Sequence, residues 1–169
     1  RNRFNHAYQA EEYRGGNSAT TGGYNPETAW YLDTGATDHL TNDLDRLTVQ
    51  ERYHGKDQVQ VANGTGLSIS HIGHSIIADL TRPLTLKNVL CVPKINRHFL
   101  SASRLLFDND VFIELYRDVF FVKDLVTKKT LLLGKRQGGL YPVPIDRSTS
   151  TSHYASSSVK VSPSQWHRR

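Results

Sequence analysis

The sequence has one cysteine, no methionine and no long apolar run. Because Cys91 stands alone, internal disulfides and a zinc site built from several cysteines of this chain are excluded. No apolar stretch approaches the roughly 20 residues of a membrane-spanning helix, and the polar sequence after the basic N-terminus lacks the apolar segment of a signal peptide. We therefore expect no membrane partner. The absence of methionine predicts that the chain is a piece of a longer protein.

The net charge of +5 is concentrated outside the middle of the chain. Residues 1–27 contain three basic and three acidic residues, whereas residues 147–169 contain four basic residues and no acidic one. The middle, residues 28–146, holds a net charge of +1. This balance does not indicate a basic binding face, so we expect no nucleic acid bound by the core itself.

Composition divides the chain into four parts. Residues 1–27 are polar and glycine-rich toward their end, which predicts a flexible linker. Residues 28–146 contain the apolar runs of a folded domain. Ten of the 18 residues from 147 to 164 are Ser or Thr, so residues 147–165 are predicted to be a second linker. Residues 166–169, Trp-His-Arg-Arg, form a short ending of different composition.

The apolar runs of the middle part are short and rich in β-branched and aromatic residues, which is typical of strands. Residues 58–61 and 67–70 alternate around Asn63-Gly64, which predicts a hairpin with a type I′ turn; residues 111–115 and 119–122 predict another. Helix signals are scarce: one or two turns within residues 41–47, and a short helix capped by Ser101 that turns Ala102, Leu105 and Leu106 inward. Some nine strands with one convincing helix predict an all-β fold, a small closed and mostly antiparallel barrel.

The sequence Asp33-Thr34-Gly35-Ala36 directly follows an apolar strand pattern. A carboxylate at the end of a rigid strand suits acid–base chemistry, the neighbouring hydroxyl can lock the loop, and glycine permits close backbone approach. The same tripeptide also occurs in ordinary surface turns. The residues alone therefore leave a catalytic loop and a surface turn open.

A wider pattern resembles the protease region of copia-type retrotransposon Gag-Pol polyproteins. The resemblance begins with the segment from Trp30 to Thr41 and runs to the last residue. It includes, in order, Asn63-Gly64-Thr65-Gly66, Ile69-Ser70-His71-Ile72-Gly73, Leu86-Lys87-Asn88-Val89-Leu90-Cys91-Val92-Pro93, Phe99-Leu100-Ser101-Ala102-Ser103-Arg104-Leu105, Gly139-Leu140-Tyr141-Pro142-Val143 and Trp166-His167-Arg168-Arg169. The last two blocks resemble the start of the pre-integrase region.

The resemblance implies a retropepsin-like aspartic endopeptidase that processes its own polyprotein as a homodimer. Asp33 would be the catalytic aspartate of each subunit, Thr34 the residue that braces the two loops, and Gly35 the end of the loop. The flap over the substrate would be formed by Asn63, Gly64, Thr65 and Gly66. No cofactor and no metal are implied.

The same resemblance sets expectations for the rest of the polyprotein. It implies a cytoplasmic virus-like particle, with nuclear placement open for downstream integrase parts, and RNA or DNA bound through other parts of the polyprotein. Residues 166–169 would be the truncated start of a zinc-binding motif whose second histidine is absent. Retroviral proteases commonly have glycine where this chain has Ser101, a departure that copia-like chains often show.

Other polar residues are weaker candidates for chemistry. Asp38 and His39 lack a third metal ligand at a recognisable spacing, so a solvated or loop-bracing role is favoured. His71 and His74 lie three apart and would face opposite sides of a strand. Cys91 and the histidine at position 98 are interpreted as packing residues. His167 lacks zinc partners within this chain. The alternative to a protease is a non-catalytic β-barrel, either the remnant of a decayed element or a scaffold module.

Overall fold

The computed structural model describes residues 3–4, 29–78 and 80–143. They contain thirteen strands, one α-helix (α1) and one 3-10 turn. The strands are β1 (Arg3–Phe4), β2 (Trp30–Asp33), β3 (Leu40–Thr41), β4 (Val49–Arg52), β5 (Gln58–Gln60), β6 (Gly66–Ser68), β7 (His71–Ile77), β8 (Leu84–Cys91), β9 (His98–Ser101), β10 (Val111–Leu115), β11 (Val119–Asp124), β12 (Thr130–Lys135) and β13 (Pro142–Val143). The 3-10 turn is Leu44–Arg46 and α1 is Ala102–Asn109.

The strands form three open sheets. The largest has seven strands in the order β13-β2-β9-β3-β8-β7-β4, and the two others have the orders β1-β5-β6 and β10-β11-β12. The prediction of a mostly β fold with one short helix is confirmed, but the predicted closed barrel is wrong for the described residues. Closure needs a continuous circuit of paired strands, whereas here β13 and β4 end the large sheet on opposite sides.

Most strand pairs are antiparallel, as predicted, but three are parallel. These are β1 with β5, β2 with β9, and β3 with β8. A parallel pair needs a long crossover connection, and the chain between β2 and β9 includes six of the other strands. The sequence pattern of short strands did not reveal these crossovers, because neighbours in the sheet are distant in the chain.

The central feature of the large sheet is that β2 and β3 lie on opposite sides of β9. Trp30 to Asp33 pair in parallel with the four residues of β9, and Leu40 pairs with Phe99 on the other side. Residues 34–39 must therefore cross the carboxyl end of β9, where Ser101 is followed by α1. This crossing segment, residues 34–39, is called the crossing loop below.

Two clusters of buried side chains form the core. The larger lies around α1, β8 and the β10-β11-β12 sheet and includes Leu86, Leu105 and Phe120. The smaller joins the β5–β6 hairpin to the large sheet through Val59, Leu67, Leu40 and Phe99 among others. Burial of this apolar surface is the main driving force for the fold.

The helix α1 begins as predicted at Ser101, whose side chain accepts the Arg104 backbone N–H. Ala102 and Leu105 are buried as predicted, but Leu106 is partly exposed and Asn109 is buried instead. The reason is helical geometry, because position 109 lies one turn beyond Leu105 on the same face, whereas position 106 is rotated by about 100°.

The predicted hairpins of residues 58–70 and 111–122 are confirmed, and the predicted turn within residues 41–47 is the 3-10 turn. The strand β8 continues through Asn88, which has a φ of 53°. The predicted linkers, 1–27 and 147–165, lie outside the described residues apart from β1, as do residues 166–169. No helix in the described part of the chain has the length and apolar character to cross a membrane.

Candidate functional site

The candidate site is built on the end of β2. Trp30, Tyr31 and Leu32 are buried in the large sheet, between β13 on one side and β9 on the other. The strand ends at Asp33, which is half-buried and stands opposite Ser101 in the parallel register with β9. Apolar burial thus fixes the strand and delivers the carboxylate at its carboxyl end.

Asp33 begins a tight turn. One oxygen of its carboxylate, Oδ1, accepts the backbone N–H of Gly35 at 2.8 Å. Thr34 and Gly35 are exposed, while Ala36 is buried. The structure therefore brings the three predicted catalytic residues together in one turn, with the side chain of Thr34 on the surface of the single chain.

Ser101 ties the crossing loop to the sheet and to α1. Its hydroxyl donates to the carbonyl oxygen of Ala36 at 2.7 Å and accepts the Arg104 backbone N–H at 3.2 Å. Its own backbone N–H donates to Nδ1 of His39 at 3.1 Å. The side chain at this position is fully buried, so these contacts act without competition from water.

Asp38 is the buried anion of the crossing loop. Its exposed fraction is 3%, and its Oδ1 contacts the Arg104 guanidinium at 3.1 Å. The Thr37 hydroxyl donates to the other carboxylate oxygen at 3.2 Å. Of the two roles left open by the sequence, loop bracing is confirmed and a solvated side chain is excluded for Asp38.

His39 is fully buried beside this ion pair. Burial lowers its pKa from about 6.5 to about 4; the positive charge of Arg104 acts in the same direction and the negative charge of Asp38 opposes it. Because Nδ1 accepts the Ser101 N–H, the neutral ring carries its proton on Nε2, which has no hydrogen-bond partner among the described residues. His39 is therefore a loop-bracing residue that is neutral near pH 7.

The predicted flap is the exposed turn of the β5–β6 hairpin. Gly64 donates its N–H to the Val61 carbonyl at 2.8 Å, and Thr65 donates its N–H to the Asn63 side chain at 2.9 Å. Gly64 has a φ of 81°, but Asn63 has no positive φ. The predicted type I′ turn, which needs positive φ at both positions, is therefore wrong, and Gly64 alone supplies the left-handed conformation.

The two predicted parts of the site lie in different sheets. Asp33 ends a strand of the large sheet and is followed by Thr34 and Gly35. The turn that contains Asn63, Gly64 and Thr65 connects β5 with β6 in the β1-β5-β6 sheet, and Gly66 begins β6. The smaller buried cluster connects that sheet to the large one. No sequence pattern predicted a role for Arg104, and Ser101 was notable only as a helix cap and as a departure from glycine. The available signal was a polar residue directly after the apolar pair Phe99-Leu100.

The remaining candidates stay apart from this site. His71 is half-buried and His74 is exposed on β7. Cys91 and His98 are both buried, which agrees with packing roles. No group of three or more metal-ligating side chains occurs among residues 29–78 and 80–143. His167 lies outside the described residues.

Comparison with known proteins agrees with the resemblance at a coarser level. Residues 30–112 match the family described as "Pol polyprotein, beta-barrel domain". The chain is 43% identical over 140 residues to the "Retrovirus-related Pol polyprotein from transposon RE1" of Arabidopsis thaliana, an alignment that covers 83% of this chain and 10% of the relative. It is 39% identical over 153 residues to the "Retrovirus-related Pol polyprotein from transposon RE2" of the same plant. This alignment covers 90% of this chain and 10% of that relative.

The chain thus spans about a tenth of the length of these curated relatives. No solved structure matches it. The family match includes the crossing loop, Ser101 and α1, so the candidate site lies inside the matched range. The family match and the two relatives together support the assignment of this chain to the Pol region of a retrotransposon, with its β-barrel domain matched over residues 30–112.

Proposed function

We propose that this chain is the aspartic endopeptidase of a copia-type retrotransposon and that it cuts its own Gag-Pol polyprotein. The observation that carries the proposal is the placement of Asp33. Its half-buried carboxylate stands at the end of a buried strand, accepts the Gly35 N–H at 2.8 Å, and is followed by a loop held to Ser101 and Arg104. A carboxylate on such a rigid support suits acid–base catalysis.

The active enzyme in this proposal is a homodimer. The sequence contains one Asp-Thr-Gly element, and a domain of about 120 residues leaves no room for a second lobe. A twofold interface brings the same loop of two copies to one axis. The exposed Thr34 and Gly35 are available for that contact, which agrees with the bracing role that the resemblance implies for Thr34.

Two neighbouring carboxylates would share one proton, because like charges close together raise the pKa of one of them. The ionised aspartate takes a proton from water, and the water oxygen bonds to the carbonyl carbon of the peptide. The protonated aspartate gives its proton to the carbonyl oxygen. When the C–N bond breaks, the leaving nitrogen takes the proton that the first aspartate accepted from water. A hydroxyl of the intermediate returns its proton to the second aspartate as the carbonyl re-forms, so the pair again holds one proton and acts as a unit.

The substrate of this reaction is an extended polypeptide, and the proposal needs no cofactor. The exposed turn from Asn63 to Gly66 would cover the bound peptide as a flap. Processing of the polyprotein would take place in a cytoplasmic virus-like particle. Nucleic acid would be bound by other parts of the polyprotein.

The test is cleavage of a longer segment of the same polyprotein by the purified chain, followed by electrophoresis and mass spectrometry of the products. We expect cleavage by the wild type and none by Asp33→Asn. The matched control is Asp45→Asn, which removes a carboxylate from an exposed residue of the 3-10 turn and should leave cleavage unchanged.

Equal cleavage by wild type and Asp33→Asn would rule out the assignment of Asp33. Absence of cleavage by a folded, dimeric wild type at pH values from 4 to 7 would instead favour the non-catalytic β-barrel module.

A further inference from the structure

We propose that Ser101 and His39 are positioning residues for Asp33, and that they act by fixing the crossing loop to the end of β9. This inference rests on the proposed function for its catalytic consequence. Neither side chain is required to touch substrate. Their effect on the carboxylate passes through the backbone of residues 34–39.

The strand order β2-β9-β3 determines where the crossing loop lies. Asp33 and Ser101 are register neighbours at the ends of parallel strands, and the chain crosses β9 at that level to reach Leu40. Asp33 is therefore held from one side by the ladder of β2. The other side of its turn is held through the contacts of the crossing loop.

Ser101 supplies the nearer fastening. Its single hydroxyl proton goes to the Ala36 carbonyl at 2.7 Å, three residues after Asp33. The same oxygen accepts the Arg104 N–H at 3.2 Å, which fixes the direction of the hydroxyl. Glycine at position 101, the residue common in retroviral proteases, would remove this hydrogen bond and leave the Ala36 carbonyl without that donor.

His39 supplies the second fastening. Its Nδ1 accepts the Ser101 backbone N–H at 3.1 Å, and its backbone carbonyl accepts the Leu90 N–H at 2.9 Å from β8. The Nε2 atom has no partner in the described part of the chain. An apolar side chain would avoid burying that unpaired donor, but it would leave the Ser101 N–H without an acceptor. The imidazole is therefore explained by its Nδ1 atom, which accepts the Ser101 N–H, rather than by packing.

Together these bonds hold the turn of Asp33 at both ends. The β2 ladder fixes residues 30–33, and the contacts of Ser101 fix positions 36 and 39. Catalytic groups must be held within about 0.5 Å of their productive geometry, and displacement by 1 Å lowers rates by about 100-fold. A shared carboxylate pair is sensitive to such displacement, because both members must meet one water.

The test compares four full-length variants in the cleavage assay. Ser101→Ala and His39→Leu each remove one fastening, and we expect kcat to fall 10- to 100-fold with KM changed less than about threefold. His39→Asn keeps an acceptor near the position of Nδ1 and should recover most of the lost kcat. The matched control is His98→Leu, which removes another buried histidine, whose Nδ1 lies 2.9 Å from the Thr41 hydroxyl rather than bonding a group of Ser101 or of residues 34–39.

A second measurement does not depend on cleavage. Amide hydrogen exchange at Gly35, whose N–H is bonded to the Asp33 carboxylate, should quicken at least tenfold in Ser101→Ala and His39→Leu. It should stay unchanged in His98→Leu. Nitrogen chemical shifts of His39 in the wild type should show the proton on Nε2.

Unchanged kcat and unchanged Gly35 exchange in both Ser101→Ala and His39→Leu would overturn the inference. An equal loss of kcat in His98→Leu would also overturn it, because general destabilisation would then explain the result. Failure of the proposed function is distinguishable, since the wild type itself would not cleave or Asp33→Asn would cleave equally well. In that case faster Gly35 exchange in the two variants would still support the fastening of the loop.

Discussion

Arg104 on α1 contacts the carboxylate of Asp38 at 3.1 Å, although the two residues are 66 positions apart in the chain. Asp38 is buried, whereas about a third of the Arg104 side chain is exposed. The pair joins the crossing loop to the first turn of the helix that Ser101 begins. Helix and candidate site are therefore parts of one structural unit.

Loss of this ion pair should destabilise the fold. We expect Arg104→Met to lower the free energy of unfolding by roughly 2 kcal/mol, because a buried carboxylate is left without its cation, with a discount for the exposed side of the arginine. Urea unfolding measures the effect. The control Arg52→Met, at an exposed position on β4, should change it by less than about 0.5 kcal/mol.

The double variant Asp38→Asn with Arg104→Met should cost less than the sum of the single variants. Additive losses would show that the two residues are not energetically coupled.

Acid should weaken the fold through His39. Its pKa is about 4 in the folded chain and about 6.5 when unfolded, so between these values the unfolded chain binds a proton that the folded chain does not. The free energy of unfolding therefore falls as the pH drops from 6.5 to 4, by on the order of 3 kcal/mol from this group. Above pH 6.5 the group has no effect.

His39→Asn isolates this contribution, because asparagine does not titrate in that range. Urea midpoints of wild type and variant at pH 7 and pH 4.5 give the comparison, and the variant should lose less stability on acidification. An identical loss in both proteins would show that other groups cause the acid sensitivity.

Asn109 should matter for stability although it lies outside the candidate site. Its buried side chain accepts the Thr85 N–H at 2.7 Å and donates to the carbonyl oxygens of Thr85 at 2.9 Å and Leu105 at 3.1 Å. Asn109→Ala should lower the free energy of unfolding by about 2–3 kcal/mol, because it leaves backbone groups of β8 unpaired. The exposed Asn96→Ala is the control for urea unfolding. A loss below about 0.5 kcal/mol would contradict the assigned role.

Assembly should control activity if the site is shared between two copies. We expect specific activity to rise with protein concentration and then to level off as dimers predominate. An excess of Asp33→Asn chain should inhibit the wild type by forming dimers with one intact carboxylate. Sedimentation velocity at the assay concentrations provides the check. Full activity at dilutions where only monomer sediments would require a site within one chain.

The sequence by itself determined the local elements. Alternation of apolar and polar residues predicted the hairpins of residues 58–70 and 111–122, because side chains of a strand alternate between a buried and an exposed face. The cap at Ser101 was predictable because a serine side chain can accept a free N–H of the first helical turn. Asp33 was identified as a candidate because it follows an apolar strand, a relation between neighbours in the chain.

Only the tertiary structure decided which distant residues meet. The parallel pairing of β2 with β9 places Ser101 beside Asp33, and no local pattern records a pairing across some 68 positions. The same crossing buries Asp38 and His39, which the sequence alone left between a solvated and a bracing role. The tertiary structure also decided that the sheets are open rather than closed into a barrel. Strand order depends on long-range packing, whereas the periodicity of the sequence indicates only which face of a strand is buried.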